Sequence, residues 1–233
     1  MRIAITGEKG FIGIHLTSYF RNILNYEVIE LTRDYLNNLG KIENLDWLIH
    51  TACLHRHPIE EKVFELNAEL DIKTVKCLNA SKIKCNIMYM SSIQEEFDTP
   101  YGRSKKHGVS LFKEYSLLVN KKFISYKMPN VFGQYAKPNH TSFVATFCYN
   151  FHNNLPIQYN TNQVKLISIN QLLETVSTFE EDVFNPNLIG VDEVYMLLQN
   201  FQNLVLQNKI PIFNNAFELD LYQTFLSYRN YKI

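Results

Sequence analysis

The sequence predicts an α/β protein, a doubly wound parallel sheet followed by a smaller C-terminal lobe. Three observations carry that reading. Short apolar runs alternate with stretches of helical period as far as Pro129. The first run ends in a glycine-rich turn, Thr6-Gly7-Glu8-Lys9-Gly10-Phe11-Ile12-Gly13. The chain of 233 residues, 46% apolar and 20% charged, is long enough to bury its own core and too apolar to be disordered.

Residues 2–6 form the first expected strand, closed by Gly7. Residues 11–24 follow as a helix, with Phe11, Ile12, Leu16, Tyr19, Phe20 and Ile23 at helical spacing. Residues 27–31 are a second strand. Residues 46–51 contain Trp47-Leu48-Ile49-His50, short and apolar enough for a buried parallel strand. Residues 58–81 read as a long helix through Val63, Leu66, Leu70, Val75 and Leu78. Residues 86–91 are a fourth strand, and residues 100–118 a helix whose core face is Leu111, Phe112, Tyr115 and Leu118. Residues 122–128 return as a strand that stops at Pro129. Strands and helices alternating in this way pair in parallel through right-handed crossovers. Beyond Pro129 the pattern is less regular. Helices are expected at 142–153, 169–179 and 192–207, and an extended piece at 157–159. The end mixes Pro211 with aromatics. No Gly/Ser-rich linker or internal repeat appears, so residues 1–233 read as one domain, with a core over about 1–130 and a lobe over about 131–233.

Composition excludes several classes. Lys plus Arg and Asp plus Glu number 23 each, so there is no overall electrostatic footprint for nucleic acid or an anionic membrane. No run of about 18 apolar residues exists, so no membrane span is expected, and the start of the chain is too short in apolar residues for a secretory leader. Cys53, Cys77, Cys85 and Cys148 lack the spacing of a zinc or redox motif and read as reduced thiols of a cytoplasmic protein. His55 and His57 flank Arg56 without a carboxylate or Cys at ligand spacing, so no metal site is expected. The aromatics Phe213, Phe217, Tyr222, Phe225, Tyr228 and Tyr231 have few basic neighbours and read as core or subunit contacts, not a nucleic-acid stacking face.

Three motifs carry chemistry. In Gly7-x-x-Gly10-x-x-Gly13, Gly7 permits the tight turn. Gly10 lets a pyrophosphate approach the backbone at a helix N-terminus, where free N–H groups favour anions, and Gly13 lets helix and strand pack closely. The spacing is one residue longer at its start than the common dinucleotide fingerprint. An ordinary strand–turn–helix is the plainer alternative, and the strand before and helix after favour a Rossmann-type sheet. Thr32-Arg33-Asp34 ends the second strand, where an acid would bind the adenosine ribose 2′-OH and an Arg would accept a 2′-phosphate. Arg33 comes first, which favours NADP; a solvated surface Arg33 is the alternative. Ser91-Ser92 ends the fourth strand, and Tyr101-Gly102-Arg103-Ser104-Lys105 lies in the next helix. Tyr101 and Lys105, four apart, share a helix face. An ammonium beside a phenol is expected to lower its pKa from about 10. Tyr101 then serves as proton donor and acceptor, with Ser92 holding a substrate oxygen against it.

These residues in this order, with Pro129-Asn130-Val131-Phe132-Gly133, resemble the extended short-chain dehydrogenase/reductase superfamily of nucleotide-sugar epimerases, dehydratases and reductases. The resemblance covers nearly the whole chain and is densest over residues 1–160. A closer resemblance is to the reductase domain of CapF-type capsular-polysaccharide enzymes, carried by Ser91-Ser92-Ile93-Gln94-Glu95, residues 101–108, residues 128–139, residues 144–150 and Leu155-Pro156-Ile157. In those enzymes an NADPH-dependent reductase precedes a zinc-binding cupin epimerase. This chain ends at Ile233, where the cupin would begin, and has no cupin-like His cluster, so the epimerase activity is not carried over to it, and a separate cupin epimerase as partner is left open. Three departures stand out. Lys127 stands where many relatives carry Arg, Cys53 where Ala or Gly is usual, and Ser168-Ile169-Asn170-Gln171 in place of an aromatic-Ile-Asp-Asp stretch.

The resemblance implies NADPH-dependent reduction of the C4 ketone of a nucleotide-activated 6-deoxyhexose for surface polysaccharide synthesis. Ser92 and Tyr101 would hold the ketone oxygen, Tyr101 would give its proton, and Lys105 would also bind the nicotinamide ribose. Gly7, Lys9, Gly10, Phe11, Ile12, Gly13, Arg33, Ala52, Asn67, Tyr101, Lys105 and Pro129 would bind NADP(H). Gln94, Asn130, Asn139, His55 and Arg56 would face the sugar or its phosphates, although a solvated loop is an equal reading of His55-Arg56. A homodimer through the helices at 58–81 and 100–118 is implied, with Phe64 and Leu117 on their outer faces. A dehydratase would carry Asp-Glu after the strand-four Ser, and Ile93-Gln94 stand there instead. An epimerase of the same family and a non-catalytic NADP-binding sensor are the alternatives.

Overall fold

The computed structural model describes residues 1–32, 35–81, 83–181 and 183–231. The chain divides into two compact units, residues 1–128 with 176–183, and residues 129–175 with 184–233.

Among the described residues of the first unit, five parallel strands, β1 (Arg2–Thr6), β2 (Glu27–Leu31), β3 (Trp47–His50), β4 (Asn86–Ser92) and β5 (Phe123–Met128), run in the order β2-β1-β3-β4-β5. Helices α1 (Phe11–Asn22), α2 (Tyr35–Leu39), α3 (Glu61–Ser81) and α4 (Pro100–Leu118) connect them. The Rossmann-type sheet expected from the sequence is borne out. All of β3 and all but the first residue of β4 are buried, which is why both read as unbroken apolar runs rather than alternating ones. Alternate side chains serve opposite faces. Ala4, Leu48, Ile87 and Tyr89 pack with Val75 and Leu78 of α3 and with Phe112 and Tyr115 of α4. Trp47 turns the other way, 5.0 Å from Phe179, whose ring lies 5.5 Å from Phe20 of α1. The strand order reverses between β1 and β3, so their connections diverge and leave a crevice at the carboxyl ends of those two strands.

Residues 176–183 return to this sheet. Lys122 Nζ donates to the Phe179 carbonyl (2.7 Å) and pairs with Glu180 (2.8 Å), and the Tyr126 hydroxyl donates to the Glu180 carbonyl (2.6 Å). The helix expected through residue 179 therefore stops at Val176, and Phe179 takes φ +53 to make the turn.

In the second unit β6 (Asn130–Phe132), β7 (Gln163–Ser168) and β8 (Asn187–Gly190) form a separate sheet in the order β6-β7-β8, the first pair parallel and the second antiparallel. Pro129 has no N–H to continue a ladder, and the next strand starts one residue later in the other sheet. Helices α5 (Phe143–His152), α6 (Ile169–Val176), α7 (Val191–Leu206) and α8 (Ala216–Ser227) cover it. The extended piece expected at 157–159 forms no ladder; the strand of that region is β7. Helix α8 is an addition to the elements expected from the sequence, although its start is marked: the Asn215 side chain accepts from the Glu218 N–H (2.9 Å), and Glu218 reaches back to Asn214. The scarcity of glycine also finds its explanation. After α1, α4, α5 and α7 the left-handed residue that ends the helix is Asn25, Asn120, Asn154 or Asn208, with φ between 51 and 55.

Candidate active site

The glycine turn supplies the first part of the site. Gly7 has φ +68, and a Cβ there would lie 2.7 Å from Thr51 Oγ1 and 2.9 Å from the Ala52 backbone. A Cβ on Gly13 would lie 2.1 Å from the Gly7 carbonyl, so α1 approaches the turn as only glycine permits. Gly10 caps α1 with no side-chain hydrogen bond, and the first turn holds no acid. The N–H groups of Phe11, Ile12 and Gly13 are thus uncapped by side chains at the positive end of a 12-residue helix, and the exposed Lys9 stands beside them. This cradle fits the pyrophosphate of a dinucleotide.

Thr6 ties that turn to the end of β3. Its hydroxyl oxygen accepts from the N–H groups of Thr51 (3.1 Å) and Ala52 (3.2 Å). Its own proton then points to His50 Nδ1 (3.1 Å), and His50 Nε2 donates to Asp71 Oδ1 (3.0 Å). Asp71 Oδ2 accepts from the Tyr89 hydroxyl (3.2 Å). All four side chains are buried, and their hydrogen bonds fix the two loops that flank the crevice.

The second part lies where β4 meets α4. Ser92 ends β4, and its hydroxyl accepts from the Gln94 N–H (3.2 Å), which leaves its own proton free to donate. Thr99 caps α4 by accepting from Gly102 N–H (3.0 Å), with Pro100 in the first turn. A Cβ on Gly102 would sit 2.3 Å from the Gln94 carbonyl, so this glycine lets the turn after Ser92 lie directly on the start of α4, beside Tyr101. Lys105 is 2% exposed, and its ammonium donates to the Met90 carbonyl (2.9 Å) and sits 5.7 Å from the centre of the Tyr101 ring.

The electrostatics differ from the sequence expectation. Burial is the largest influence on Tyr101, followed by the charge of Cys53 and a hydrogen bond with its sulfur, and together they hold the phenol well above its ordinary pKa. At Tyr101 the raising influences prevail, and the Lys105 ammonium is the largest lowering influence on Cys53. Tyr101 therefore carries its proton at neutral pH. Its ring also stacks on His55 at 5.2 Å. In the sequence Cys53 stands out only as a departure from the family; the signal that could have found it is that it leads from β3 into the crevice of a parallel sheet.

The structure brings Ser92, Tyr101, Lys105 and His55 into the first unit with the glycine cradle and Ala52. Asn67 is buried, but its amide is fully engaged: Oδ1 accepts from Leu54 N–H (2.7 Å), and Nδ2 donates to the Leu54 carbonyl (2.8 Å) and to Ser104 Oγ (3.2 Å). It shapes the loop after β3. Arg56 and Gln94 are exposed. Pro129, Asn130 and Asn139 belong to the second unit, where Asn130 donates to the Lys165 carbonyl (3.2 Å) and Asn139 takes φ +56 in a turn. Arg33, the residue read for the 2′-phosphate, lies outside the described residues. The unusual Asn170-Gln171 pair serves its own unit: Asn170 donates to Asp220 (2.8 Å) and Gln171 to the Asn185 carbonyl (2.9 Å). Lys127, in the place of an Arg, pairs with Glu95 (2.8 Å), which also accepts from the Ser91 hydroxyl. A pocket of about 470 Å³ between β8, α7 and α8 is lined by Leu188, Met196 and Phe217 among others and contains none of these residues. Among the described residues no three His, Cys, Asp or Glu side chains gather as metal ligands, and no helix is long and apolar enough to cross a membrane.

The pattern of the NAD dependent epimerase/dehydratase family matches residues 3–168. The chain belongs to that family. It is 27% identical over 242 residues to the UDP-2-acetamido-2,6-beta-L-arabino-hexul-4-ose reductase of Pseudomonas aeruginosa, over 98% of this chain and 65% of the relative. It thus spans a little less than two thirds of that reductase's length. Its fold matches the capsular polysaccharide assembling protein CapF of Staphylococcus aureus with a TM-score of 0.83 and 29% identity, over 100% of this chain and 67% of CapF. The resemblance to CapF-type reductases read from the motifs is borne out. The UDP-glucose 4-epimerase of Thermus thermophilus, solved with NAD, shares the fold at a TM-score of 0.80 and 15% identity, over 99% of each chain.

Proposed function

We propose that this family member reduces the C4 ketone of a nucleotide-activated 6-deoxyhexose with NADPH, as a step toward a surface polysaccharide. One observation carries the reading above all: the Tyr101 phenol stands one helical turn from the buried Lys105 ammonium, 5.7 Å from its ring, next to the strand end where Ser92 keeps a hydroxyl proton to donate. The reductase relative from Pseudomonas aeruginosa supports the substrate class. The uncapped start of α1 would hold the cofactor pyrophosphate, and Lys105 the nicotinamide ribose. NADPH, when bound, supplies the hydride. Ser92 donates its free hydroxyl proton to the ketone oxygen as a hydrogen bond, which stabilises the negative charge that develops there. Tyr101 transfers its phenolic proton to that oxygen, and the Lys105 charge stabilises the phenolate left behind. His55 orients the Tyr101 ring by stacking. Arg33 favours NADPH over NADH, and the reaction runs in the cytoplasm.

The chain acts as a homodimer in this reading, through the outer faces of α3 and α4. Leu66 and Leu117 are exposed there, whereas Phe64 is covered within its own chain by the Arg103 guanidinium, 5.7 Å above its ring, and by the edge of His107. The portion of CapF that this chain does not cover lies outside the proposal. The test is NADPH oxidation with UDP- and dTDP-4-keto-6-deoxyhexoses, the product resolved by NMR. A C4 alcohol formed in step with NADPH loss is expected, and no oxidation with any of the sugars would overturn the reading.

A further inference from the structure

The sulfur of Cys53 sits in a cluster drawn from two elements. Cys53 itself is partly exposed on the loop that leaves β3. His55 approaches it from the same loop, with Nε2 3.7 Å and Nδ1 3.9 Å from the sulfur. From α4 come the Tyr101 ring, stacked on His55 at 5.2 Å, and the Lys105 ammonium, 5.7 Å from that ring. The remaining titratable neighbours are His50 at the end of β3 and Tyr89 of β4. We propose that Cys53 is a peroxide-reactive thiol, a reversible oxidation site set inside the Ser92–Tyr101–Lys105 cluster. The consequence for turnover rests on the function proposed above; the chemistry of the thiol does not.

The other cysteines show what is particular here. Cys85 and Cys148 are buried, and burial pushes both thiols up, Cys85 to about 12. The Cys77 sulfur donates to the Leu36 carbonyl (3.1 Å). At Cys53 burial also acts upward, but the Lys105 ammonium and the His55 ring outweigh it and bring the thiol down to about 6. A thiolate is the nucleophile toward peroxide. Its Sγ attacks one oxygen of hydrogen peroxide: the S–O bond forms, the O–O bond breaks, and hydroxide leaves and takes a proton to become water. Sulfur is oxidised by two electrons to the sulfenic acid and the peroxide is reduced by two. A small dithiol reductant reverses the change, releasing the oxygen as water and leaving as its own disulfide. While the sulfenic acid stands, its added oxygen crowds the Tyr101 hydroxyl that the ketone oxygen must reach, and turnover falls.

The experiment uses the full chain and needs no substrate. Alkylation by iodoacetamide is followed at each cysteine by mass spectrometry from pH 4.5 to 9, in the folded protein and in urea. A folded-state inflection near pH 6 at Cys53 is expected. At pH 5.5 the folded rate should exceed the unfolded rate by on the order of 10-fold, since the larger thiolate fraction outweighs its lower intrinsic nucleophilicity. The loop variant His55→Gln should move the inflection upward. Stoichiometric peroxide should give a dimedone adduct at Cys53 that prior dithiothreitol prevents. An inflection above pH 8, or a dimedone adduct at Cys77 in place of Cys53, would overturn the proposal. A chain that labels as expected but reduces no ketosugar would support this proposal and refute the function proposed above.

Discussion

The two units bury different chemistry. Of the fourteen polar or charged side chains buried among the described residues, twelve belong to the first unit, and the second has only Ser168 and Thr224. In the first unit the polar groups are joined across elements. Thr6, His50, Asp71 and Tyr89 link β1, β3, α3 and β4, while Lys105 reaches from α4 to the Met90 carbonyl of β4. The second unit is held by rings. Phe225 stacks on His152 at 4.2 Å and meets Phe151 and Phe201, and Tyr159 stacks on Tyr195 at 4.3 Å. Ring packing is tolerant of small shifts, whereas a buried polar group is costly unless its partner is held in place. A network of that kind belongs where loops must be positioned for chemistry, so substitutions should cost turnover in one unit and stability in the other.

The largest effect expected is on turnover. Tyr101→Phe removes one hydroxyl and should lower the rate of ketosugar reduction by about 10²–10⁴-fold, with the urea midpoint and NADPH affinity nearly unchanged. A near wild-type rate would break the assignment of catalysis to the polar unit. Next is Phe225→Ala, at a fully buried ring of the aromatic unit, which should lower the unfolding free energy by about 3–5 kcal/mol. A loss below ~1 kcal/mol in urea titration would show that the ring cluster is not what holds that unit. Asp71→Ala leaves His50 Nε2 and the Tyr89 hydroxyl without their partner and should cost about 1–3 kcal/mol for each. Because the same network fixes the loops beside Gly7, NADPH affinity should also weaken in this variant, and intact binding by calorimetry would separate the network from the cofactor cradle. Tyr228→Phe deletes the hydroxyl that donates to the Ala136 carbonyl and should cost about 1 kcal/mol with no change in NADPH affinity.

The smallest effect concerns pH. Burial lowers the pKa of His152, outweighing the hydrogen bond to the Phe225 carbonyl. A folded pKa below the unfolded value favours the neutral ring, so this group's contribution is present above about pH 6.5 and is lost as pH falls through the folded pKa. Unfolding free energies measured from pH 7.5 to 5 should decline, and His152→Gln should flatten that decline. An unchanged slope would assign the acid sensitivity to other groups.

The period of the apolar residues was enough to place the five parallel strands, because a strand buried on both faces has a composition that little else shares. Ser92, Tyr101 and Lys105 were legible for a related reason: a strand end and one helical turn fix their approximate positions before any packing is known. The second sheet was not legible. Strands β6 and β8 have three and four residues, too few to show a period, and β7 begins in exposed polar positions. Nor was the role of Asn67, whose amide is engaged by Leu54, thirteen residues away, and by Ser104, thirty-seven away.

The sequence by itself determined the sheet, the glycine turn, the family and the residues able to donate a proton, since each depends on spacing within one or two adjoining elements. The tertiary structure decided the ionisation of the site. Lys105 is four residues from Tyr101, and that spacing alone predicted a lowered phenol. Folding instead buries the Tyr101 phenol and brings Cys53 from the loop after β3 beside it, so that the phenol is raised while the ammonium lowers the thiol. Charge interactions depend on distance and burial in space, and a residue far away along the chain enters them only once the strands between have paired.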